Sequence, residues 1–192
     1  MIKALVFDCY GVLVTDSWLP FKNEQFGHNA DLMEKAGYIN KQSDMGNMSY
    51  DDFIQSLADL ANMPSSQVMR SIESNAPNSQ LFKYIRELKK SYKIGMLSNV
   101  GSDVLEDLFQ NGELEVFDAT ALSYETGYVK PDSRAYKAAA ERLGVELHEC
   151  VMIDDIERNC TAAQEIGMQA VFYKDFDGFK NDLAKILANS KA

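Results

Sequence analysis

The sequence predicts an α/β fold: a Rossmann-like, doubly wound parallel sheet with a small α-helical cap inserted after the first strand. Short apolar runs alternate with amphipathic segments of helical length after residue 78. Residues 15–78 break this alternation, because they contain several helical patterns and no apolar run typical of a buried strand. Polar residues follow the apolar runs, at the points where open α/β sheets bind ligands.

The first predicted strand is Ala4–Phe7, an apolar run typical of a strand buried on both faces of a parallel sheet. Later runs of the same character are predicted to be strands as well: 94–97, 117–122, 150–153 and 169–173. Segments of helical length separate these runs, and such spacing favours βαβ units with parallel pairing.

The segments between the strands are predicted to be amphipathic helices, because their apolar residues recur at helical spacing. Gly112, Gly144 and Gly167 follow three of them, in the place where glycine commonly ends a helix. Ser102 is predicted to cap one helix, and Pro131 opens another. The predicted helices are 81–90, 103–110, 131–143, 157–166 and 179–188.

The interrupting segment is predicted to be a separate helical unit. Its helices are expected at 23–36, 50–61 and 65–73, with Ser49 and Ser65 as N-caps. Pro77 supports a boundary near its end. We therefore expect two domains, an α/β core formed by residues 1–14 and 79–192 and a helical cap formed by 15–78.

Composition excludes several classes of function. The net charge of −10 argues against nucleic acid as a partner, because phosphate backbones are held by clustered lysines and arginines. No apolar run reaches the length of a membrane span, and the first residues form a strand rather than a leader. The three cysteines show no paired spacing, so we expect a reducing, cytoplasmic location. Nothing in the sequence sets the oligomeric state.

Polar side chains with the chemistry needed to handle a phosphate monoester follow four predicted strands. Carboxylates from two of these strand ends supply the hard oxygen ligands that Mg²⁺ prefers, and one of them can attack phosphorus. A hydroxyl, an ammonium and backbone amides beside a glycine can bind phosphoryl oxygens. These side chains are Asp8, with Gly11 just beyond it, Ser98, Asn99, Lys130, Asp154 and Asp155.

Four motifs in this order resemble the haloacid dehalogenase-like (HAD) hydrolase superfamily. They are FDCYGVL at 7–13, MLSN at 96–99, VKPDSRAY at 129–136 and IDDIERN at 153–159. The resemblance implies that the helical insertion is the family's cap and that the reaction uses Mg²⁺ and a small phosphorylated substrate.

The resemblance also implies roles for single residues. Asp8 would be the nucleophile, Ser98 the hydroxyl that contacts phosphate and Lys130 the neutralising cation. Asp154 would bind the metal with help from Asp155. Three further contributions are implied: the main-chain carbonyl of Tyr10 as a metal ligand, Asn99 as a loop-shaping residue and Asn159 as a group near the metal. Gly11, by its own backbone freedom, allows a tight turn beside the ligand.

Tyr10 departs from the phosphatase pattern, in which an aspartate at this position acts as general acid. A phenol cannot serve as a base in the same way near neutral pH. Tyrosine at this position, and Tyr136, have counterparts in the 2-haloacid dehalogenase branch, which attacks carbon and needs no metal. That branch lacks an acidic pair like Asp154 and Asp155 and carries a cap arginine, whereas residues 1–69 contain no arginine.

We therefore favour a phosphatase and keep two alternative functions. The first is a dehalogenase, and the second is a catalytically weak protein that binds a metabolite or a partner protein. We also keep an alternative role for Tyr10, as a packing residue that only forms a wall of the pocket. A response-regulator receiver is disfavoured, because there the acidic pair follows the first strand and the phospho-accepting aspartate follows the third.

Replacing Tyr10 by aspartate tests whether it occupies the general-acid position. We expect Tyr10→Asp to raise phosphatase turnover, because a carboxyl group can protonate the leaving alcohol. Hydrolysis of a phosphate ester by the folded variant and by the wild type is the measurement. Unchanged or lower rates would count against this placement.

Overall fold

A five-stranded parallel sheet forms the centre of the molecule in the computed structural model, which describes residues 1–102 and 105–190. The strand order is β3-β2-β1-β4-β5. The strands are β1 (Ala4–Phe7), β2 (Lys93–Ser98), β3 (Ala119–Leu122), β4 (Cys150–Asp154) and β5 (Gln169–Phe172). The predicted α/β fold with a parallel sheet is confirmed, and each predicted strand is present within a few residues of its expected bounds.

The described residues form ten α-helices. Short 3₁₀ turns lie at Leu114–Val116 and Leu147–Glu149. The helices are α1 (Trp18–Phe26), α2 (Ala30–Asp44), α3 (Tyr50–Ala61), α4 (Ser65–Ile72), α5 (Ser79–Leu88), α6 (Leu105–Leu108), α7 (Ser123–Thr126), α8 (Ser133–Leu143), α9 (Glu157–Glu165) and α10 (Phe176–Asn189).

Strand β1 lies at the centre of the sheet and is buried along its whole length. Side chains alternate between the faces of a strand, so its residues belong to two hydrophobic clusters. Leu5 and Phe7 pack in the cluster that includes α5 and α10, whereas Ala4 and Val6 pack in the cluster that includes α8. This double burial explains why the run contains no polar residue.

The strand order reverses between β1 and β4. From β1 the chain moves to β2 and β3 on one side, and it then returns to the other side of β1 for β4 and β5. Both neighbours pair with β1 in parallel, with Phe7 opposite Ile153 of β4. In open α/β sheets a crevice forms at the carboxyl ends of the strands where the order reverses. Asp8 and Asp154 are at this point.

Helices α1 to α4 pack around a hydrophobic cluster of their own. Phe26, Leu57 and Val68 are fully buried within it. The chain enters and leaves this helical segment along adjacent connections, since the Thr15 amide donates to the Ala76 carbonyl at 3.0 Å and the Ala76 amide donates to the Thr15 hydroxyl at 2.9 Å. The segment is therefore a loop of the chain that begins and ends beside β1.

Several local predictions are wrong. The predicted helix at 23–36 is two helices, because the Asn29 side chain accepts from the amides of Asp31 and Leu32 and caps a new helix. Pro64, and not Ser65, occupies the N-cap position of α4, while Ser49 caps α3 as predicted. Residues 103 and 104 of the predicted helix 103–110 lie outside the described residues. Helix α7 has only four residues, too few to show a helical period.

Gly95 allows α8 to pack closely on the sheet. A Cβ atom at this position of β2 would lie 2.7 Å from Cδ1 of Leu143. We expect Gly95→Ala to lower the free energy of unfolding by about 1–3 kcal/mol, because overpacking strains a dense core. Denaturation by urea measures the change.

The matched control is Gly37→Ala, inside α2, where a Cβ atom would meet only the end of the flexible Lys22 side chain. Here we expect stabilisation by about 0.5–1 kcal/mol, because alanine has the higher helix propensity. Equal effects of the two substitutions would contradict the packing argument.

Candidate functional site

The carboxylates of Asp8, Asp154 and Asp155 meet at the carboxyl ends of β1 and β4. One oxygen of each lies within 4.8 Å of the others. The Asp8 amide donates to the Ile153 carbonyl at 2.8 Å, which extends the pairing of the two strands up to the site. The sequence separates the first of these residues from the other two by more than 140 positions, and the parallel register brings them together.

Lys130 lies between two of these carboxylates. Its Nζ is 2.7 Å from Oδ1 of Asp8 and 2.7 Å from Oδ2 of Asp154, and its side chain is 1% exposed. Burial lowers the pKa of Lys130, but the two carboxylates more than reverse this effect, so the net shift is upward and the ammonium stays charged. Burial raises the pKa of Asp8, against the effect of Lys130 and with a contribution from Asp154.

The Lys130 backbone is held by Asn99 at the end of β2. The Asn99 side chain accepts from the Lys130 amide at 2.8 Å and donates to its carbonyl at 3.2 Å. A bidentate pair of this kind fixes the loop before α8 against the loop after β2. Asn99, predicted to shape a loop, therefore determines where the ammonium of Lys130 enters the site.

Asp154 is fully buried and is held by groups from α9 and its N-terminal turn. Oδ1 accepts from the Ile156 amide at 2.8 Å, and the Asn159 side chain donates to both oxygens at 3.0 and 3.1 Å. The Tyr136 hydroxyl donates to the Asn159 carbonyl at 2.9 Å and so ties α8 to this network. Tyr136 is itself fully buried and does not line the cavity described below.

Asp155 packs against the turn that follows β1. Gly11 has a φ of +84°, and a Cβ atom on it would lie 2.1 Å from Oδ2 of Asp155. Glycine is therefore needed at position 11 both for the backbone conformation and for the approach of the carboxylate. Burial and the charge of Asp154 raise the pKa of Asp155 to about 6.

Three buried polar atoms near the carboxyl ends of the strands lack a partner among the described residues. They are the Ser98 hydroxyl, on a residue 1% exposed, Oδ1 of Asp155 and Oδ1 of Asn159. Buried polar groups are usually hydrogen-bonded, so unpartnered ones beside a cavity point to a ligand. With Asp8, Asp154 and Lys130, the cluster holds three carboxyl groups and one ammonium. Its hard oxygen donors and negative charge fit a divalent cation such as Mg²⁺.

A cavity of about 640 Å³ opens beside these residues, between the sheet edge and the helical segment. Asp8, Lys130 and Asp155 line one side of it, and Tyr10 also faces it. Burial raises the pKa of Tyr10, so the phenol is neutral at physiological pH. The side chains of the helical segment that line the cavity are Asp16, Trp18, Leu19, Lys22, Asn40, Ser43, Asp44, Tyr50, Phe53, Ile72, Glu73 and Asn75.

The sequence prediction missed these contributions from the helical segment, and it also missed Arg158, which lines the cavity from α9. Most are ordinary surface or core residues in sequence terms. Asp44 had no sequence signal, because it is the last residue of α2, and the sequence predicts that this helix ends at residue 36.

A sequence model of the haloacid dehalogenase-like hydrolases matches residues 2–167. The chain belongs to this family of hydrolases. The match spans the strands that carry Asp8 and Asp154, and it includes the helical segment between β1 and β2. The family predicted from the four motifs is thus confirmed. No helix of the described residues is long and apolar enough to cross a membrane.

Relatives of this HAD-like hydrolase include proteins named as phosphatases. A sesquiterpene phosphatase (astK) from Aspergillus oryzae is 26% identical over 183 residues, which are 90% of this chain and 90% of that protein. Phosphatase MT3486 from Mycobacterium tuberculosis is 27% identical over an alignment of 208 residues, which covers 96% of this chain and 95% of that protein.

A solved structure resembles the fold over most of its length. It is the wild-type HAD family enzyme BT-2542 from Bacteroides thetaiotaomicron, in complex with magnesium and inorganic phosphate. The TM-score is 0.74, with 26% sequence identity and coverage of 91% of this chain and 95% of that chain. Both the sequence and the fold of this chain are therefore similar to those of an enzyme that holds magnesium and phosphate.

The close approach of Asp155 to Gly11 predicts an effect on stability. We expect Gly11→Ala to lower the free energy of unfolding by more than Gly127→Ala does. Alanine at either position has an unfavourable positive φ, which costs about 1–2 kcal/mol, but no heavy atom lies within 4 Å of a Cβ at Gly127.

Urea denaturation of the two variants measures the difference. The excess cost at position 11 reports the clash with the Asp155 carboxylate. Equal losses in the two variants would show that Asp155 moves aside freely.

Proposed function

We propose that this protein is a Mg²⁺-dependent phosphatase that hydrolyses a small phosphate monoester through an aspartyl-phosphate on Asp8. The observation that carries the proposal is the Lys130 ammonium held between Asp8 and Asp154, with Asp155 and an unpartnered Ser98 hydroxyl nearby. The similarity to BT-2542, which holds magnesium and phosphate, and to two proteins named as phosphatases supports it.

The proposed reaction has two displacements at phosphorus. An Asp8 carboxylate oxygen attacks phosphorus, the bond from phosphorus to the ester oxygen breaks, and the leaving oxygen takes a proton to become an alcohol. Water then attacks the phosphorus of the aspartyl-phosphate, the bond to the Asp8 oxygen breaks, and inorganic phosphate leaves. Each turn of the cycle consumes one water and restores the free carboxylate.

The remaining residues bind and orient the phosphoryl group in this proposal. Ser98 would donate its hydroxyl hydrogen to a phosphoryl oxygen, and Lys130 would neutralise developing charge. Asn99 acts by holding Lys130, and Gly11 leaves room for the Asp155 carboxylate. Asp8, Asp154, Asp155 and the main-chain carbonyl of Tyr10 would hold Mg²⁺, which offsets the repulsion between carboxylates and phosphate when bound.

We propose that residues 15–78 act as a cap over this site and select the substrate. The cavity wall that this segment contributes is partly aromatic and apolar, with Trp18, Leu19, Phe53 and Ile72. An organic group with an apolar portion would bury surface there, and such burial favours binding. The relative named as a sesquiterpene phosphatase is consistent with an apolar ester.

The acidic pair favours the phosphatase over a metal-free dehalogenase. Attack on carbon needs no cation, whereas Asp154 and Asp155 together with Asp8 leave negative charge beyond what Lys130 neutralises. Lys22 and Arg158 do line the cavity, so cations for a substrate carboxylate are present, and halide release is therefore measured alongside phosphate release.

We also propose a reducing, cytoplasmic location for the protein. Cys9, Cys150 and Cys160 are free and buried, as expected of thiols that a reducing compartment protects.

The test compares the wild type with Asp8→Asn on an aryl phosphate, with Mg²⁺ and with EDTA. We expect wild-type turnover only with Mg²⁺, and we expect Asp8→Asn to fall to the rate of the buffer, because an amide cannot form the acyl phosphate. Asp182→Asn, an exposed carboxylate of α10, is the matched control and should retain the full rate.

Other results would overturn the assignment. Metal-independent release of halide from a 2-halocarboxylic acid would indicate the dehalogenase. Absence of both activities, with Mg²⁺ still raising the thermal midpoint, would indicate a binding protein.

A further inference from the structure

The proposed phosphatase reaction needs a group that gives a proton to the leaving oxygen and later takes one from water. The Tyr10 phenol is neutral and partly buried, and its pKa is raised, so it does not supply a base. Such a group must reach the cavity in which Asp8 lies. Apart from the metal-site residues, the acidic side chains that line this cavity are Asp16, Asp44, Glu73 and Asp107.

Asp16 is partly buried, but one of its oxygens accepts from two backbone amides, those of Trp18 and Leu19, and so holds the start of α1. Glu73 accepts from the Tyr50 hydroxyl. Asp107 is exposed to solvent. Asp44 is also partly buried, and no backbone amide of the described residues donates to its carboxyl group.

The end of α2 that carries Asp44 is seated directly on the α/β core. The Ser123 hydroxyl donates to the Asp44 carbonyl. A Cβ atom on Gly101 would lie 2.1 Å from the Ser43 hydroxyl, and one on Gly46 would lie 3.1 Å from the Tyr124 carbonyl. These contacts with the loop after β2 and with α7 hold Asp44 in a defined place at the cavity, although it belongs to the helical segment.

The environment of the Asp44 carboxyl suits proton transfer. Asn40 donates to Oδ2 at 2.8 Å, while Oδ1 accepts no hydrogen bond from the described residues. Burial raises the pKa of Asp44 to about 7, against the opposing effects of Lys130 and of the Asn40 hydrogen bond. The negative charge of Asp44 also contributes to the raised pKa of Tyr10. Asp44 thus lies within electrostatic range of both Lys130 and Tyr10.

We propose that Asp44, supplied by the helical segment, is the general acid and base of the phosphatase reaction, in the role that Tyr10 cannot fill. The inference rests on the proposed function. Protonated Asp44 gives its proton to the ester oxygen as the bond to phosphorus breaks. The resulting carboxylate then takes a proton from the water that attacks the aspartyl-phosphate, which restores the acid for the next cycle.

The experiment compares Asp44→Asn with the wild type on two esters in the presence of Mg²⁺. A simple alkyl phosphate has a leaving oxygen that requires a proton, whereas p-nitrophenyl phosphate releases a stable phenolate. We expect a loss of about 100-fold or more in kcat/KM for the alkyl ester and a clearly smaller loss for the aryl ester. Asp31→Asn, on the same helix but outside the cavity, is the control and should change neither rate.

The dependence on pH is a second readout. We expect the wild-type kcat/KM for the alkyl ester to fall as pH rises through the pKa of Asp44, because only the protonated carboxyl can act as acid. This descending limb should be absent in Asp44→Asn. Asn40 donates to Asp44 from its own helix. The other titratable and charged side chains that line the cavity are Asp8, Tyr10, Asp107, Lys130, Asp155 and Arg158 outside the helical segment, and Asp16, Lys22, Tyr50 and Glu73 within it. Lys130 and Tyr10 keep their charge states across this range. Deprotonation of Asp8 or Asp155 would raise the rate, because the proposed reaction uses both as carboxylates, so a descending limb that Asp44→Asn removes reports Asp44.

A rescue variant separates a chemical role from a structural one. We expect Tyr10→Asp to increase kcat/KM for the alkyl ester by a larger factor in the Asp44→Asn variant than in the wild type. The reason is that the new aspartate supplies the missing carboxyl group from position 10, which also lines the cavity. Equal losses on both esters, or failure of rescue in a variant that unfolds like the wild type, would overturn the role of Asp44. A wild type inactive on both esters would overturn the proposed function itself.

Discussion

The buried contact of Lys130 with Asp8 and Asp154 is the interaction on which the site depends. Three charged groups lie out of water at the carboxyl ends of β1 and β4, and each is stable only with the others in place. Removing one partner of such a pair costs about 3–5 kcal/mol, because the remaining charge stays buried. The parallel register of β1 and β4 brings the two aspartates together, and the Asn99 side chain holds the backbone of Lys130 by hydrogen bonds.

The loop after β2 supports two parts of the cavity at once. Asn99 binds the backbone of Lys130, and Gly101, two residues later, packs closely against Ser43 near the end of α2. Lys130, with the carboxylates it contacts, and the end of α2 are thus both held by the same short stretch of backbone. This arrangement explains how a helix outside the α/β core can present a side chain such as Asp44 to a site built on strand ends. Tyr10, in the turn after β1, also lines the cavity.

Prediction from the sequence succeeded where one feature dominates the local environment of a residue. Ala4–Phe7 is apolar because both faces of β1 are buried, and the motif residues Asp8, Lys130 and Asp154 meet as the parallel fold requires. It was a poor guide where two local signals compete. Residues 23–36 have a continuous helical period, yet the Asn29 side chain satisfies the amides of a second helix and divides the segment.

The sequence by itself determined the fold class and the family, because the apolar runs of the buried strands and the four motifs are local patterns in the chain. Only the tertiary structure decided which side chains of the helical segment line the cavity with the motif residues. Asp44 is held at the cavity by the close approach of Ser43 to Gly101 and by the hydrogen bond from Ser123 to the Asp44 carbonyl, and both partners are remote in sequence. No local pattern encodes these contacts, since they depend on how the helical segment packs against the α/β core.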